Sequence, residues 1–595
     1  MIRTPLRPLA RVLEARAKGE NPDAIERENT RIRHEQMRDH SRLRAEGRLL
    51  VLGVMFFCAF GVIGARMGLL AVSDPVEPRA HAPGAVISAS RADIVDRSGN
   101  LLATNFETHA LYVQPHHLID PLGSAEKLVK VFPELDEERL VKDFTGKRKF
   151  LWVKKKISPE QMQAVHEIGD PGLLFAPRDM RLYPNGKLAA HIMGGASFGK
   201  EGVHAAEVIG VAGVERYFDD YLRDPSNAGK PLELSLDLTV QAASERVLWG
   251  GMQLMNAKGA TSVLMDVYTG EIVSAVSLPS FDPNDRPRPA VEGDASDSPL
   301  FNRSVQGVYE LGSTFKIFAA VQAMELGLVD AGTLIDTKGP MRVDGYSIGE
   351  FHNKNYGTLS VAEIIEKSSN RGTGRLALMI GPKRQQEFLK SLGFFAPTPF
   401  EIVEAAGGQP LLPKRWTDLS AVTISYGHGL SSSPMHLAAG YAAIANGGRL
   451  VKPTLLRQKG AKLGDRVMSE HTAAAARIML RSVVTGGTAS FGEVPGYQVA
   501  GKTGTADKPK PRGGYYDDKV IATFATMFPA HDPRYVLIVT LDEPVETSGD
   551  KPRRTAGWTA VPVAAEMIRR IAPLLGMRPT VEPAQVAGIT LTSSN

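Results

Sequence analysis

The chain has 595 residues, a hydrophobic fraction of 43%, a charged fraction of 23% and a formal net charge of +5. This length predicts two to four domains, and the composition excludes a largely disordered chain. The positive excess is small for the length and is not concentrated in a folded domain, so it does not indicate nucleic-acid binding. A single cysteine, Cys58, excludes an intramolecular disulfide, and the histidines show no spacing typical of a metal site.

The first element in chain order is an apolar segment near the N-terminus. Residues 49–65 contain no charged side chain, and a helix over 49–72 is long enough to cross the hydrocarbon layer of a bilayer. Residues 1–48 carry twelve Arg and Lys, whereas the dozen residues after Val72 carry one, Arg79. The positive-inside rule then predicts a cytoplasmic N-terminus and a periplasmic location for the rest of the chain.

Changes in composition divide the chain into five parts. Residues 1–48 are interpreted as a basic tail in the cytoplasm, mobile in preference to the alternative of a charged amphipathic helix over 20–48, and residues 49–72 as a single transmembrane helix. Residues 73–234 begin with a Pro-rich linker and form a first periplasmic domain. Residues 235–576 alternate strands and long helices without a linker, which predicts one α/β domain, and residues 577–595 are interpreted as a loose tail.

Candidate strands in the larger domain occur in two pairs, and turn residues separate the members of each pair. The pairs are Thr261–Asp266 with Glu271–Val276, and Ile521–Phe528 with Tyr535–Leu541. This arrangement predicts two antiparallel hairpins. A helix over Thr239–Leu254 is predicted before the first of them.

Four Ser-x-x-Lys tetrads are candidate nucleophile–base pairs. Serine reacts well only when a base lies within hydrogen-bond reach, and residues i and i+3 share one face of a helix. The tetrads begin at Ser124, Ser197, Ser313 and Ser548. Gly312 precedes Ser313, and apolar residues at helical spacing with a closing Gly327 follow it, which predicts that Ser313 lies in the first turn of a buried helix. The helix dipole and the burial of Lys316 would favour an alkoxide and a neutral lysine, so that both groups become more reactive.

Two further short motifs follow the Ser313 tetrad in the chain. The sequence Ser-Ser-Asn at 368–370 supplies a hydroxyl and an amide, and Lys-Thr-Gly-Thr at 502–505 lies on a strand predicted to begin near Tyr497. Ser-x-Asn also occurs at 98–100 and 593–595, so it is weak alone, whereas Lys-Thr-Gly occurs once. The specific signal is therefore the conjunction of the three motifs in this order.

These motifs together form the S-x-x-K, S-x-N and K-T-G signature of penicillin-binding proteins and related β-lactamases. The chain resembles a class B penicillin-binding protein over residues 85–575. Further motifs similar to the family's are Arg91–Arg97, Arg181–Pro184, His191, Gly194, Gly213–Glu215 and Pro279–Asn284. The sequence departs from the family at Ala92, Leu311 and His436, where glycine, proline and glutamine are usual.

The resemblance implies an α/β (α+β) fold. Its main part is a transpeptidase domain like that of penicillin-binding proteins and serine β-lactamases, with an antiparallel sheet packed against helices. An elongated pedestal domain, of the kind called a dimerisation domain, and one transmembrane helix precede that domain.

The resemblance also implies a catalytic set. In the family, the residue at Ser313 attacks the penultimate D-Ala carbonyl of a peptidoglycan stem peptide, and the residue at Lys316 accepts its proton. Ser368 and Asn370 relay protons and orient the substrate amide. Lys502 holds Ser368 and adds positive potential. An amine from a neighbouring strand then attacks the acyl-enzyme and forms the cross-link.

The same comparison implies how substrate is held. Thr503, Gly504 and Thr505 form the substrate-binding strand, on which the two threonines bind the terminal carboxylate of the D-Ala-D-Ala donor. Backbone N–H groups of Ser313 and Thr505 form the oxyanion hole. β-Lactams acylate the same serine, and the reaction uses neither a cofactor nor a metal.

Other sequences indicate which branch of the family the chain resembles. The pedestal motifs occupy the residues between membrane and transpeptidase domain, so we predict a monofunctional enzyme without a glycosyltransferase domain. The sequences 367–370, 415–418, 425–430 and 514–516 are similar to those of FtsI-type, division-specific members. This similarity implies a septal location in the bacterial inner membrane, an FtsW-like glycosyltransferase partner and other division proteins as partners. An elongation-specific transpeptidase shares the chemistry and remains the alternative.

Three rival functions are less consistent with the sequence. Residues 496–503 also satisfy the G-x-x-x-x-G-K-[ST] phosphate-binding pattern, but the glycines and prolines that follow oppose the helix that such a site requires. A β-lactam-binding sensor or hydrolase uses similar motifs, and nitrocefin turnover would distinguish it. A non-enzymatic scaffold would lack one of the three motifs, and none is missing.

Overall fold

A computed structural model provides the structure of the chain. It describes residues 7–72, 91–201, 206–227, 229–289, 291–510 and 513–580. The chain divides into an N-terminal unit and a larger unit that contains all of the motifs. The predicted Pro-rich linker and the residues beyond 580 lie outside the described part. The first residues of the predicted loose tail are packed, since the Thr580 N–H donates to the Gly496 carbonyl at 2.8 Å.

Over residues 7–72, the part of the N-terminal unit that the structure describes, there are two helices, α1 (Arg7–Ala17) and α2 (Pro22–Val72). The prediction of a mobile tail is therefore wrong for residues 22–48, which continue the helix of the apolar segment. The cause is local, because strong helix formers dominate this stretch and a proline occupies the first helical position. Residues Arg48–Ala65 of α2 have a mean hydropathy of 2.2, and they are long and apolar enough to cross a membrane.

The larger unit begins with residues 91–234, which we call the pedestal. Its strands are β1 (Ile94–Val95), β2 (Leu101–Val113), β3 (Leu151–Ile157), β4 (Leu173–Leu182), β5 (Gly195–Glu201), β6 (Ala206–Ala212) and β7 (Leu232–Glu233). Its helices are α3 (Pro121–Val131), α4 (Glu137–Phe144), α5 (Pro159–His166), α6 (Ala190–Met193), α7 (Gly213–Tyr217) and α8 (Asp219–Arg223). Strand β2 is central and pairs antiparallel with β1, β3 and β4, and β1 pairs parallel with β7. A small core of its own lies beneath α3, α4 and α5.

A buried ion cluster fixes the base of the pedestal. Arg91 Nε lies 2.6 Å from Glu215 Oε2, and its Nη1 lies 2.7 Å from Asp219 Oδ1. Arg181 Nε lies 2.7 Å from the other oxygen of Glu215. The Tyr183 hydroxyl also donates to Glu215, at 3.3 Å, and burial followed by the charge of Glu215 raises the pKa of that phenol well above its usual value.

We expect Arg91→Ala to lower the free energy of unfolding by ~3–5 kcal/mol, because it removes the buried cation that pairs with both Glu215 and Asp219. Chemical denaturation of the full chain in detergent measures this loss. The matched control is Arg148→Ala, which removes a solvent-exposed pair with Asp143 at 3.6 Å. Exposed pairs contribute ~0–1 kcal/mol. Equal losses in the two variants would contradict a stabilising role for the buried cluster.

The remaining residues of the larger unit form the transpeptidase-like domain. Its helices are α9 (Leu238–Leu254), α10 (Lys316–Glu325), α11 (Val361–Lys367), α12 (Asn370–Ile380), α13 (Pro382–Ser391), α14 (Asp418–Ser425), α15 (Pro434–Ala445), α16 (Glu470–Thr485) and α17 (Ala560–Leu574). Its strands are β8 (Gly259–Asp266), β9 (Ile272–Leu278), β10 (Leu334–Asp336), β11 (Met341–Val343), β12 (Tyr346–Ile348), β13 (Thr358–Ser360), β14 (Arg449–Val451), β15 (Leu463–Arg466), β16 (Ala500–Pro509), β17 (Tyr515–Phe528) and β18 (Tyr535–Asp542).

The main sheet of this domain is antiparallel throughout, with strand order β16–β17–β18–β8–β9. Every residue of β8 and β18 is buried, so helices cover both faces of the sheet. Both predicted hairpins are confirmed as β8–β9 and β17–β18. The predicted helix before them is confirmed as α9, whose N-terminus is capped by Asp237. The predicted fold class is likewise confirmed.

The contacts that attach the pedestal to the domain that follows it include an ion pair and hydrogen bonds from buried groups. Both carboxylate oxygens of Glu404 accept the Gly213 N–H at 3.1 Å. Arg97 pairs with Glu271 at 3.1 Å. His191 Nε2 lies 2.9 Å from the Pro299 carbonyl, and burial lowers the pKa of this histidine to about 4, so that the neutral ring donates the bond.

Candidate active site

Ser313 lies at the entry to α10, as the sequence predicts. A 3-10 turn over Gly312–Phe315 leads directly into the helix, and Gly312 has a left-handed φ of +56° that favours glycine. Ser313 is half-buried, and its hydroxyl makes no hydrogen bond to any part of the chain that the structure describes. Lys316 is the first residue of α10 and is only 1% exposed. The hydroxyl that could serve as a nucleophile therefore has no hydrogen-bond partner among the described residues. Lys316, the candidate base, lies one helical turn further along the chain.

Ser368 and Asn370 lie at the junction of α11 and α12. Ser368 ends α11 in a left-handed conformation, with a φ of 60°. Ser369 caps the N-terminus of α12 by accepting the Gly372 N–H. The sharp junction turns the Ser368 side chain towards α10, and a left-handed serine is uncommon enough to indicate a functional constraint.

Glu350 holds this junction in place and was missed by the sequence reasoning. Its carboxylate accepts the Ser369 hydroxyl at 2.5 Å and the N–H groups of Asn370 and Arg371 at 2.8 and 3.0 Å. An anion at this position stabilises the N-terminus of α12. Glu350 belongs to an irregular segment, so no local pattern in the sequence marks it.

Two lysines converge on the Ser368 hydroxyl. Lys316 Nζ lies 3.1 Å from Ser368 Oγ and 2.7 Å from Asn370 Oδ1, and it also donates to the Ser368 carbonyl. Lys502 Nζ lies 2.9 Å from the same Ser368 Oγ and 3.2 Å from the Thr503 carbonyl. The structure thus brings together Lys316, Ser368, Asn370 and Lys502, which come from three separate parts of the chain.

The two lysines are buried, and burial makes their charged forms costly. Desolvation lowers the pKa of Lys316 to about 7, although the negative charge of Glu350 opposes this shift. Desolvation and the nearby charge of Lys316 lower the pKa of Lys502 well below its usual value. A neutral amine is therefore accessible near neutral pH, and a neutral amine can accept a proton from a hydroxyl group.

The Lys-Thr-Gly-Thr segment lies on β16, the edge strand of the main sheet, and packs against the start of α10. A Cβ on Gly504 would lie 2.2 Å from the Leu311 carbonyl oxygen, so only glycine permits this approach. A Cβ on Gly312 would lie 2.7 Å from the Thr505 carbonyl oxygen and 3.1 Å from its nitrogen. The backbone of Thr505 is consequently adjacent to the residue that precedes Ser313.

The two threonines of this segment are held from the opposite side of the site. Thr503 Oγ1 lies 2.7 Å from Thr488 Oγ1, and the Thr505 hydroxyl accepts the Ala556 N–H at 3.0 Å. Residues 496–503 run into β16 and not into a helix, so the phosphate-binding interpretation of this stretch has no structural support.

A second site feature missed by sequence reasoning is a hydrogen-bonded rim beside Ser313. Glu310 accepts the Gly429 N–H at 2.7 Å and the Tyr515 hydroxyl at 3.1 Å. Burial, together with the charge of Glu310, raises the pKa of Tyr515 to about 12, so this phenol remains a donor. The departure from the family at His436 lies elsewhere, in a buried capping box with Ser433 at the start of α15.

A five-stranded antiparallel sheet whose edge strand flanks a serine–lysine pair at a helix entry defines the class of serine enzymes that recognise penicillin. Family models agree with this class: the penicillin binding protein transpeptidase domain matches residues 260–566, and the penicillin-binding protein dimerisation domain matches residues 86–229.

Known proteins similar to the chain belong to the same class. A probable peptidoglycan D,D-transpeptidase FtsI of Caulobacter vibrioides is 34% identical over 95% of this chain and 93% of its own length. A probable peptidoglycan D,D-transpeptidase PenA of Neisseria meningitidis is 30% identical over 85% of this chain and 88% of its own. The apo transpeptidase domain of Burkholderia pseudomallei penicillin-binding protein 3 is 33% identical, with a TM-score of 0.51, over 59% of this chain and 98% of that structure. The chain belongs to the class B penicillin-binding proteins.

Proposed function

We propose that the chain is a monofunctional peptidoglycan D,D-transpeptidase that forms an acyl-enzyme on Ser313. The relatives from Caulobacter and Neisseria carry that enzyme name. The observation that carries the proposal is the convergence of two buried lysines on Ser368 Oγ, immediately beside the entry to α10. An arrangement with one reactive hydroxyl and a neutral amine suits acyl transfer and requires neither a cofactor nor a metal.

In the first half-reaction, Ser313 Oγ attacks the carbonyl carbon between the two terminal D-Ala residues. Lys316 takes the serine proton, directly or through Ser368, whose hydroxyl is in contact with both lysines. The N–H groups of Ser313 and Thr505 stabilise the oxyanion, and one such donor contributes about 2.7–4 kcal/mol to transition-state binding. The C–N bond then breaks, the leaving amine receives the proton, and free D-Ala departs.

The substrate is oriented by groups on both sides of Ser313. Asn370 binds an amide of the stem peptide, and the hydroxyls of Thr503 and Thr505 bind the terminal carboxylate, with Gly504 between them. Lys502 adds positive potential close to these hydroxyls. A β-lactam presents a carboxylate and a reactive amide in similar positions, so the same site accounts for penicillin binding.

We propose a role at the division septum because two of the most similar relatives, from Caulobacter vibrioides and Escherichia coli, bear the name FtsI. The apolar part of α2 would anchor the chain in the inner membrane, with residues 1–48 in the cytoplasm and the catalytic domain in the periplasm. The proposed domains are 49–72 for the membrane helix, 73–234 for the pedestal and 235–576 for the transpeptidase. An FtsW-like glycosyltransferase would supply the glycan strands.

Mass spectrometry of the intact chain after exposure to a penicillin tests this function. We expect one covalent adduct, and peptide mapping should assign it to Ser313. An adduct on another residue would contradict the proposed nucleophile. Rapid loss of the adduct with nitrocefin turnover would favour a β-lactam hydrolase.

We expect the second-order rate constant of penicillin acylation to depend on pH through the Lys316 amine. Only the neutral amine accepts the serine proton, and the pKa of Lys316 is lowered to about 7. The rate should therefore rise about tenfold per pH unit below pH 7 and level off above it. A profile that keeps rising towards pH 10, where an ordinary lysine titrates, would contradict this role.

A further inference from the structure

An exposed aromatic pair lies beside the candidate active site. The rings of Phe491 and Trp558 are 5.1 Å apart, and the Arg553 guanidinium lies 3.9 Å over the Trp558 ring. Phe491 is 54% exposed and Trp558 is 41% exposed. We call Phe491, Arg553 and Trp558 the aromatic platform. Large aromatic side chains at the surface next to a cation are typical of binding surfaces.

Both segments that carry the platform are hydrogen-bonded to the threonines of the substrate strand. Thr488, three residues before Phe491, contacts the Thr503 hydroxyl at 2.7 Å. Ala556, two residues before Trp558, donates its N–H to the Thr505 hydroxyl at 3.0 Å. The platform therefore lies on the side of the site where these hydroxyls would hold the leaving D-Ala.

The order of the reaction determines what reaches this side next. Once D-Ala has left, the rest of the donor stays bound to Ser313 through an ester. The incoming amine then attacks the ester carbonyl, the bond to Ser313 Oγ breaks, and a proton from the amine returns to the serine through Lys316. By microscopic reversibility, the attacking amine occupies the position that the D-Ala amine left. The second strand thus enters next to Thr503 and Thr505.

The charge of the platform segment suits an anionic strand. Lys551, Arg553 and Arg554 lie within four residues, opposed locally by Asp550. Arg553 is paired with Glu546 at 2.8 Å. In the described part of the chain, neither Lys551 nor Arg554 is paired with an acidic side chain. A stem peptide carries a terminal carboxylate, so it complements this surface.

We infer that the aromatic platform binds the acceptor strand, through the stem peptide that supplies the amine. This inference rests on the proposed transpeptidase function. The aromatic rings provide apolar contact area, and the neighbouring cations attract the carboxylates of the peptide. The platform is a specificity-determining surface for the second substrate and takes no part in the acylation chemistry.

The test compares two acceptors of different size with the full chain in detergent. A stem-peptide thioester serves as donor, and either D-alanine or a disaccharide-linked stem peptide serves as acceptor. D-Alanine supplies the amine but lacks the rest of the stem peptide, which is the part that the platform is inferred to bind. Trp558→Ala and Phe491→Ala should lower the ratio of stem-peptide transfer to D-alanine transfer at least fivefold. Trp558→Phe, which keeps an aromatic ring, should restore most of it.

Trp249→Ala is the matched control, because Trp249 is 58% exposed on α9 of the same domain. Its transfer ratio should equal that of the unmodified chain. An unchanged ratio of stem-peptide transfer to D-alanine transfer in Trp558→Ala would overturn the inference. This includes the case in which both transfer rates fall by the same factor because the substitution damages the enzyme. The same result would arise if a partner protein covered the platform. Lack of an acyl-enzyme in the unmodified chain would instead overturn the proposed function itself.

Discussion

A Ser313→Ala chain should form no penicillin adduct, with an acylation rate at least about a thousandfold below that of the unmodified chain. The loss is this large because the variant lacks the atom to which the acyl group is transferred, and removing a nucleophile leaves only background reactivity. The fold should be retained, since the Ser313 hydroxyl is half-buried and makes no hydrogen bond to the described chain. Intact-mass spectrometry measures the adduct, and thermal unfolding verifies the fold.

The other Ser-x-x-Lys tetrads provide the controls. Ser548→Ala removes an exposed serine from the same sequence pattern and should leave acylation unchanged. Ser124 is a less suitable control, because its hydroxyl donates to Asp170 at 2.8 Å and contributes to the pedestal. Continued labelling of Ser313→Ala, or loss of labelling in Ser548→Ala, would contradict the assignment.

The motifs identified from the sequence depend on local pattern, and for that reason they were predictable. Gly312 before an apolar stripe indicated a helix entry at Ser313, and the structure has a 3-10 turn and α10 there. Alternating strands around short turns indicated the hairpins β8–β9 and β17–β18. Side-chain periodicity and turn residues act over a few positions, so one sequence suffices to identify them.

Features that depend on contacts between distant residues were not predictable in this way. Glu350 caps α12 from a segment twenty residues upstream, and nothing in its neighbourhood marks it as part of the site. Ser368 takes its left-handed conformation where α11 ends, one residue before the residue that caps α12, and serine itself has no preference for this conformation. The aromatic platform joins residues 491 and 558 only because both segments meet β16. Residues 22–48 form a helix, the alternative to the mobile tail, because strong helix formers outweigh the effect of their charge.

Lys316 and Lys502 both contact the Ser368 hydroxyl, and this contact connects the fold to the proposed chemistry. The three-residue spacing alone placed Lys316 near Ser313, yet the structure directs its amine to Ser368 and Asn370. Catalytic hydrogen bonds are often loose before substrate binds, so this geometry is compatible with proton transfer from Ser313. In this arrangement Lys316 acts on two hydroxyl groups. It is the base for the Ser313 hydroxyl, and it contacts the Ser368 hydroxyl.

Lys316→Ala should lower the rate of penicillin acylation by about 10²–10⁴-fold, the usual contribution of a positioned general base. Lys316→Arg separates this role from a purely electrostatic one. A guanidinium keeps the positive charge but does not lose its proton near neutral pH, so the arginine variant should be as slow as the alanine variant. Lys316→Met, which keeps the length and removes the charge, should be equally slow.

Lys367→Ala is the matched control, because Lys367 adjoins Ser368 in the sequence but is half-exposed and pairs with Glu363 at 3.4 Å. Stopped-flow acylation with a fluorescent penicillin should give the same rate for this variant and the unmodified chain. If Lys316→Arg acylates at a near-normal rate, positive charge is sufficient and the proposed base is another group. If Lys316→Arg acylates slowly, the acylation rate depends on an amine that can lose its proton. Burial beside Ser368 produces that property, since it brings the pKa of Lys316 down to about 7.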